Sequence, residues 1–407
     1  MRTGLKVVVC LWCAAFVAGL AWSSEEGKPV TGVRPWKVSL SLRADYTDNR
    51  DSEDDSVAQD TFDLYVKPRF DLFVNPDRTL FDVFVSPSWR YRTDPSPTQN
   101  EDEFWYEAGL SLEHSFTPVM TGFVRERLDY TDDSSVDNQG NVARGDMSYI
   151  LSRTEAGVMY DLTQTWSADL TGGYRDKSYD DNDVADDNNE TRADAEGKLS
   201  RHMSPTLDVY GLARYSDFGY DSSIGLQRDF NSVVLAVGFG KKVSASLNTG
   251  AAVGWQGQDF EDDSIDDNGI PYATAWANWR TIPSMRFGGE ATHALRDADV
   301  YPYASQEYTE LRLSCEYDLT GSTMVGLAGM YRYSDYGDYV SGTTPDAEFE
   351  TANRGGTEDR YSADLTLAYK LSPQTRLSLI QSYEERDSEV SNDFTKNTTK
   401  LIFGREF

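Results

Sequence analysis

Along most of this chain apolar and polar residues alternate one by one. Trp36, Val38, Leu40, Leu42, Ala44 and Tyr46 interleave with Lys37, Ser39, Ser41, Arg43 and Asp45. A period of two cannot put six apolar residues on one helix face; it is the period of a strand with one apolar and one polar side. Phe62, Leu64, Val66, Phe70, Leu72 and Val74 repeat it, and so do further stretches as far as Leu401, Phe403 and Phe407. Counting these stretches predicts eighteen strands. Short polar turns recur between them, at Asn75-Pro76-Asp77, Thr117-Pro118, Thr163-Gln164-Thr165, Ser204-Pro205-Thr206, Lys241-Lys242, Thr281-Ile282-Pro283-Ser284, Thr320-Gly321-Ser322 and Ser372-Pro373-Gln374. Every second connection is instead long and acidic, as from Asp51 to Asp60, Thr131 to Asp137, Asp180 to Glu190 and Gln258 to Asp267. Tight and long connections in alternation, joining an even number of strands, are the asymmetry of an outer-membrane barrel. An open sheet would leave unpaired edges in lipid, so it must close. The pattern therefore predicts an all-β, transmembrane antiparallel up-and-down β-barrel of about eighteen strands, with short periplasmic turns and long acidic extracellular loops.

Composition changes that picture little and sharpens it once. A mean hydropathy of −0.57 and 39% hydrophobic residues resemble a soluble protein, but a barrel needs only every second strand residue to be apolar. The 24 Tyr and 9 Trp fit aromatic girdles at two membrane interfaces. At the N-terminus Arg2 and Lys6 precede an apolar run from Val7 to Trp22 with small residues behind it, so residues 1–23 read as a secretory signal peptide. Residues 24–34 are then expected to form a short periplasmic segment and 35–407 the barrel, one domain without a plug, located in the bacterial outer membrane. Cys10 and Cys13 leave with the signal, and Cys315 remains as a small apolar strand residue, so no disulfide is expected.

The formal charge of −30 makes nucleic acid an improbable partner. On the polar faces of the strands, by contrast, opposite charges crowd together. Arg43, Arg69, Arg90, Arg127, Arg153, Arg175, Arg214, Arg280, Arg312 and Arg332 share that side with Glu107, Glu155 and Glu290. These are the candidate pore-lining residues. Two readings stay open for them: a surface that selects charged or hydroxylated solutes, or cross-strand ion pairs that fill and stiffen a wet interior. Two long connections, Asp180 to Glu190 and Val340 to Thr357, are candidates to fold inward and constrict the channel; the second is the longest and contains Gly342, Gly355 and Gly356.

No other chemistry is expected. Ser264, Asp266, Asn268 and Gly269 approach a calcium loop, but the first ligand is Ser and no Glu stands at the twelfth position. His114, His202 and His293 have no evident Ser and carboxylate beside them. The expectation is a non-enzymatic protein with no metal and no cofactor.

The run Leu40 to Asn49, ending Asp45-Tyr46-Thr47-Asp48-Asn49, is followed by an acidic loop and a long strand with internal Pro68. In this, and in pattern from Val33 to Phe407, the chain resembles the β-barrel porin type 2 group, whose relatives are exopolysaccharide-associated outer-membrane barrels. Leu401, Phe403 and Phe407 resemble the C-terminal signal read by barrel-assembly machinery, with Arg405 departing from it. The resemblance implies outer-membrane lipid, lipopolysaccharide and the assembly machinery as partners, and a polysaccharide secretion system as a further one; it leaves the oligomeric state open. The expected function is a porin-like channel for passive diffusion of small or charged hydrophilic solutes. The alternatives are an exopolysaccharide exporter and a structural or adhesive barrel with a closed lumen.

Overall fold

The structure is a computed structural model describing residues 35–50, 52, 56, 58–93, 101–131, 148–180, 189–221, 229–262, 265–298, 303–337 and 356–407. The signal peptide and the segment 24–34 lie outside the described residues. Among them every regular element is a strand, eighteen in all. The first six are β1 (Trp36–Thr47), β2 (Thr61–Val74), β3 (Thr79–Arg92), β4 (Asp102–Thr117), β5 (Met120–Thr131) and β6 (Tyr149–Thr163). Next come β7 (Trp166–Tyr179), β8 (Glu190–Ser204), β9 (Leu207–Tyr220), β10 (Phe230–Lys242), β11 (Leu247–Phe260) and β12 (Asn268–Ile282). The last are β13 (Met285–Asp297), β14 (Ser305–Asp318), β15 (Thr323–Tyr336), β16 (Gly356–Ser372), β17 (Thr375–Ser388) and β18 (Phe394–Glu406). Each pairs antiparallel with the next, and β1 pairs with β18, Ser39 opposite Glu406 through Thr47 opposite Thr398, so the sheet closes on itself. Closure is what the absence of water in a bilayer demands of strands.

The tight turns have a shared local cause. In six of them a Ser or Thr hydroxyl at or just beyond the end of the incoming strand accepts the backbone N–H two residues on. Thr117 takes Val119, Thr163 takes Thr165, Ser204 takes Thr206, Ser244 takes Ser246, Thr320 takes Ser322 and Ser372 takes Gln374, at 3.2 to 3.3 Å. The side chain thus does the work of a backbone turn acceptor. Register shifts stand on the incoming strand at Ser115/Thr117, Asp161/Thr163, His202/Ser204, Arg280/Ile282 and Lys370/Ser372, the extra residue that bends a strand into its turn. One turn differs from the sequence expectation. β10 runs through Lys241 and Lys242, and the reversal is at residues 243–246, where Leu247 O accepts the N–H of Val243 and of Ser244. Two lysines with no hydroxyl at the turning point offer no such acceptor, whereas Ser244 does.

Register separates two faces. On one, large apolar side chains stand exposed along the strands, Leu170 at 65% and Val237 at 63% among them; this is the face that hydrocarbon covers. The other carries the charged residues. Among the described residues there is no central core, and the small buried apolar clusters lie inside the barrel at its long-connection end.

That end holds the main departure from a regular cylinder. β12 and β13 pair from Ile282 and Met285 up to Ala273 and His293 and no further. β12 continues beside β11 to Asn268, while β13 continues beside β14 to Asp297. The upper part of β13 has left the ring and crossed to the inner face of β11. Gln256 on β11 receives it like a strand: Leu295 N–H donates to Gln256 Oε1 at 3.0 Å, and Gln256 Nε2 donates to Leu295 O at 2.8 Å. Leu295, placed by alternation on the apolar outer face, is accordingly buried, as is Ile270. Ala304 joins Phe218, Phe230 and Phe260 of β9, β10 and β11, and Tyr220 donates its hydroxyl to Asp297. The upper part of the β13–β14 hairpin, as far as Asp297 and from Ala304, thus folds into the mouth. The connections expected to constrict the channel lie outside the described residues at 181–188 and 338–355.

Candidate functional site

Every residue singled out on the polar faces shares the inner face in the observed register. Arg43 stands opposite Tyr65, Tyr65 opposite Arg90, and Glu107 opposite Asp129. Arg153 faces Arg127 and Arg175, and Glu310 faces Arg332. Arg280 meets Arg286 near a tight turn.

What binds these groups is first of all the spacing along single strands. Residues i and i+2 point the same way, about 7 Å apart, within reach of a guanidinium. Arg43 pairs with Asp45 at 2.9 Å, Arg69 with Asp71 at 2.7 Å, Arg127 with Asp129 at 3.0 Å, Arg192 with Asp194 at 2.8 Å and Arg312 with Glu310 at 2.6 Å. Cross-strand partners tie the strands together: Lys67 to Glu107 at 2.5 Å, Arg125 to Glu155 at 3.4 Å, Arg214 to Glu196 at 2.6 Å and Arg332 to Glu310 at 2.6 Å. Aromatic rings lie under several cations. Arg43 sits 3.9 Å over Tyr65, Arg69 3.9 Å over Phe84 and Arg90 4.0 Å over Trp105. Phe84 itself lies flat because Gly109 is opposite it; a Cβ there would come within 2.4 Å of the ring. Trp276 lies over Gly250 in the same way. Glycine opposite an aromatic residue therefore keeps rings against the wall and out of the passage.

Exposure divides the sequence candidates into two kinds. The side chains of Arg90, Arg175 and Arg332 are nearly buried in their ion pairs, whereas those of Arg127 and Arg312 are 48% and 55% exposed, with Arg43 and Arg214 between. Glu155 is exposed, Glu107 less so. Arg280 and Glu290 have no ion pair among the described residues.

A second level of order is a row across the strands. Arg127 on β5, Arg153 on β6, Arg175 on β7 and Arg192 on β8 stand directly opposite one another in turn. Arg332, Arg360 and Arg386 form a shorter row on β15, β16 and β17. Carboxylates sit in the neighbouring rows, Glu155 and Asp194 below the first and Asp129 and Glu190 above it. The β5–β8 row borders an inner-wall hollow of about 460 Å³. Beside it, between the wall and the folded-in hairpin, is a chamber of about 250 Å³ whose lining includes Arg192, Arg214, Gln256, Tyr272, Tyr308 and Arg312. Arg192, Arg296, Gln256 and Tyr308 did not stand out in the sequence. Arg192 lies near the start of β8, where the first outer positions are only Thr191, Ala193, Ala195 and Gly197, so the strand's apolar signal starts late, at Leu199. Groups of three or more metal-ligating side chains are absent among the described residues.

The profile of the family described as "Putative beta-barrel porin 2" matches residues 36–403, the whole run of strands. The chain belongs to that family. Solved structures share the fold at low sequence identity. The outer membrane protein opdK from Pseudomonas aeruginosa is 13% identical, over 91% of this chain and 99% of that one, with a TM-score of 0.50. OccAB4 from Acinetobacter baumannii is 11% identical, over 93% of this chain and 100% of that one, also at 0.50. No curated protein sequence matches the chain. As a member of this family the porin is a channel of the outer membrane, and its tight-turn end is the periplasmic one.

Proposed function

We propose that this porin passes small hydrophilic solutes by passive diffusion and that the arginine row across β5–β8 favours those carrying negative charge. The row is the observation that carries the reading. Like charges directly opposite one another weaken a sheet, so four arginines in succession are a cost to the barrel that ion pairing alone would not require. Carboxylates in the adjacent rows hold the guanidinium groups against the wall and leave Arg127 exposed to the passage. Such a surface gives an anion a sequence of weak contacts in place of bulk water, as a conducting path requires. No energy coupling and no cofactor enter the scheme, and all the residues named act by binding and orienting.

The test is single-channel conductance of the purified porin in a planar bilayer under a salt gradient. The wild type is expected to show steps with a reversal potential of anionic sign. Arg127→Gln, Arg153→Gln and Arg192→Gln together should move that potential toward zero or past it. An unchanged potential would reject the role of the row, and silence from folded protein would reject diffusion in favour of a closed barrel.

A further inference from the structure

Arginine and lysine are almost confined to the inner face. Among the described strand residues the outward-facing cations are Arg201 on β8, Lys241 on β10 and Arg405 on β18, all at the periplasmic end. Arg201 and Lys241 flank the foot of β9, where Val209 is opposite Arg201 and Leu207 opposite Lys241. Both are exposed, and neither has an acidic partner among the described residues. Arg201 stands 5.6 Å from the ring of Trp166, an aromatic side chain at the membrane boundary. Two cations at that boundary, with no counter-ion among the described residues, suit an anion from the surroundings.

Directly above them the wall is hollowed. A groove of about 680 Å³ runs over β7 to β11 on the apolar side. Its floor is Gly197 and Gly211, and a Cβ added at either would meet no atom within 4 Å. Leu170, Leu199, Leu235 and Val237 stand on its margins. Leu199 is one same-face step above Arg201, and Gly197 lies about 13 Å along the strand from it. An anionic head with an apolar tail fits this order of groups. A second copy of the chain does not account for unpaired cations, because outward carboxylates at this end are absent among the described strand residues.

We propose that the outer wall over β7–β10 binds one anionic glycerophospholipid of the periplasmic leaflet, its phosphate between Arg201 and Lys241 and an acyl chain over Gly197 and Gly211. Long cationic side chains reach the interface while their stems lie along apolar surface, and each contributes to the capture of an anionic lipid. Binding there is independent of what the lumen conducts.

Native mass spectrometry of the purified barrel, incubated with phosphatidylglycerol or with phosphatidylcholine of equal chain length, tests this. The wild type should retain one phosphatidylglycerol several-fold more often than one phosphatidylcholine. Arg201→Gln with Lys241→Gln should bring the two lipids to equal retention, and Arg405→Gln should not. Gly211→Leu, which fills the groove, should lower retention of both. Retention of phosphatidylglycerol unchanged in the double variant, or equal retention of both lipids by the wild type, would overturn the proposal. So would a wild-type dimer that carries no lipid. Heat-dependent gel mobility, read on each variant, separates loss of binding from loss of fold.

Discussion

Glu310 shows what a single inner-face carboxylate does. It accepts from Arg332 through Nε at 2.9 Å and Nη2 at 2.6 Å, and pairs with Arg312 through its other oxygen. Arg332 has little contact with solvent, and Tyr308 closes one side of it at 5.7 Å. Glu310→Ala would leave a buried guanidinium without its counter-charge, a loss of about 3 kcal/mol. Unfolding in urea from detergent micelles should show a lowered midpoint, and Glu310→Gln, which keeps an acceptor, a smaller drop. Glu126 is the reverse case, a carboxylate on the outer face between Val124 and Leu128. It is satisfied locally, because Ser152 donates at 2.9 Å and Thr154 also donates, both from β6. Alternation marks position 126 as outward but cannot show that two hydroxyls await it, since those lie on another strand. Residue-level exceptions of this kind are legible only with the register.

Among elements, the fork between β12 and β13 matters most. The alternation of Phe287, Gly289, Ala291, His293 and Leu295 is unbroken in the sequence, yet the last of these leaves the ring. A period of two reports which way side chains point and says nothing of which strand lies alongside, so the fork was invisible. The fork rests on a side chain: Gln256 replaces backbone that β12 would have offered. Gln256→Ala should free the upper part of the β13–β14 hairpin, giving a higher mean conductance and more frequent gating between levels in single-channel records. An unchanged record would mean that the cluster of Phe218, Phe230, Phe260 and Ala304 alone holds the hairpin. The turns, by contrast, are almost wholly legible, because in six of the eight a Ser or Thr hydroxyl fixes the reversal locally. At Lys241-Lys242 two charged residues imitate a turn, whereas the hydroxyl that makes it stands on Ser244.

At the scale of the molecule, the strand number, the closure and the two faces follow from sequence, while the arginine rows do not. Faces need only parity, but rows need register, and the register of one strand against the next is set by turns and bulges together. Charge is divided in the same way: inner-face cations and carboxylates nearly match, so the net charge of −30 belongs chiefly to the connections and outer rim. Register also has a seam. Where β1 meets β18, Asp48 accepts from Asn397 through its backbone N–H at 2.7 Å and its side-chain amide at 2.8 Å, and Lys37 meets Glu406 at 2.7 Å at the opposite end. A slip of two residues here would preserve every inside and outside position, so hydrophobicity cannot forbid it. It would change the stagger on closing, and with it the tilt of all the strands and the diameter. Asp48→Ala with Lys37→Ala is therefore expected to split one conductance population into two in single-channel histograms; a single unshifted population would refute it. On this prediction Asp48 and Lys37 act as a gauge: polar contacts at the closing joint calibrate the bore through which solutes pass.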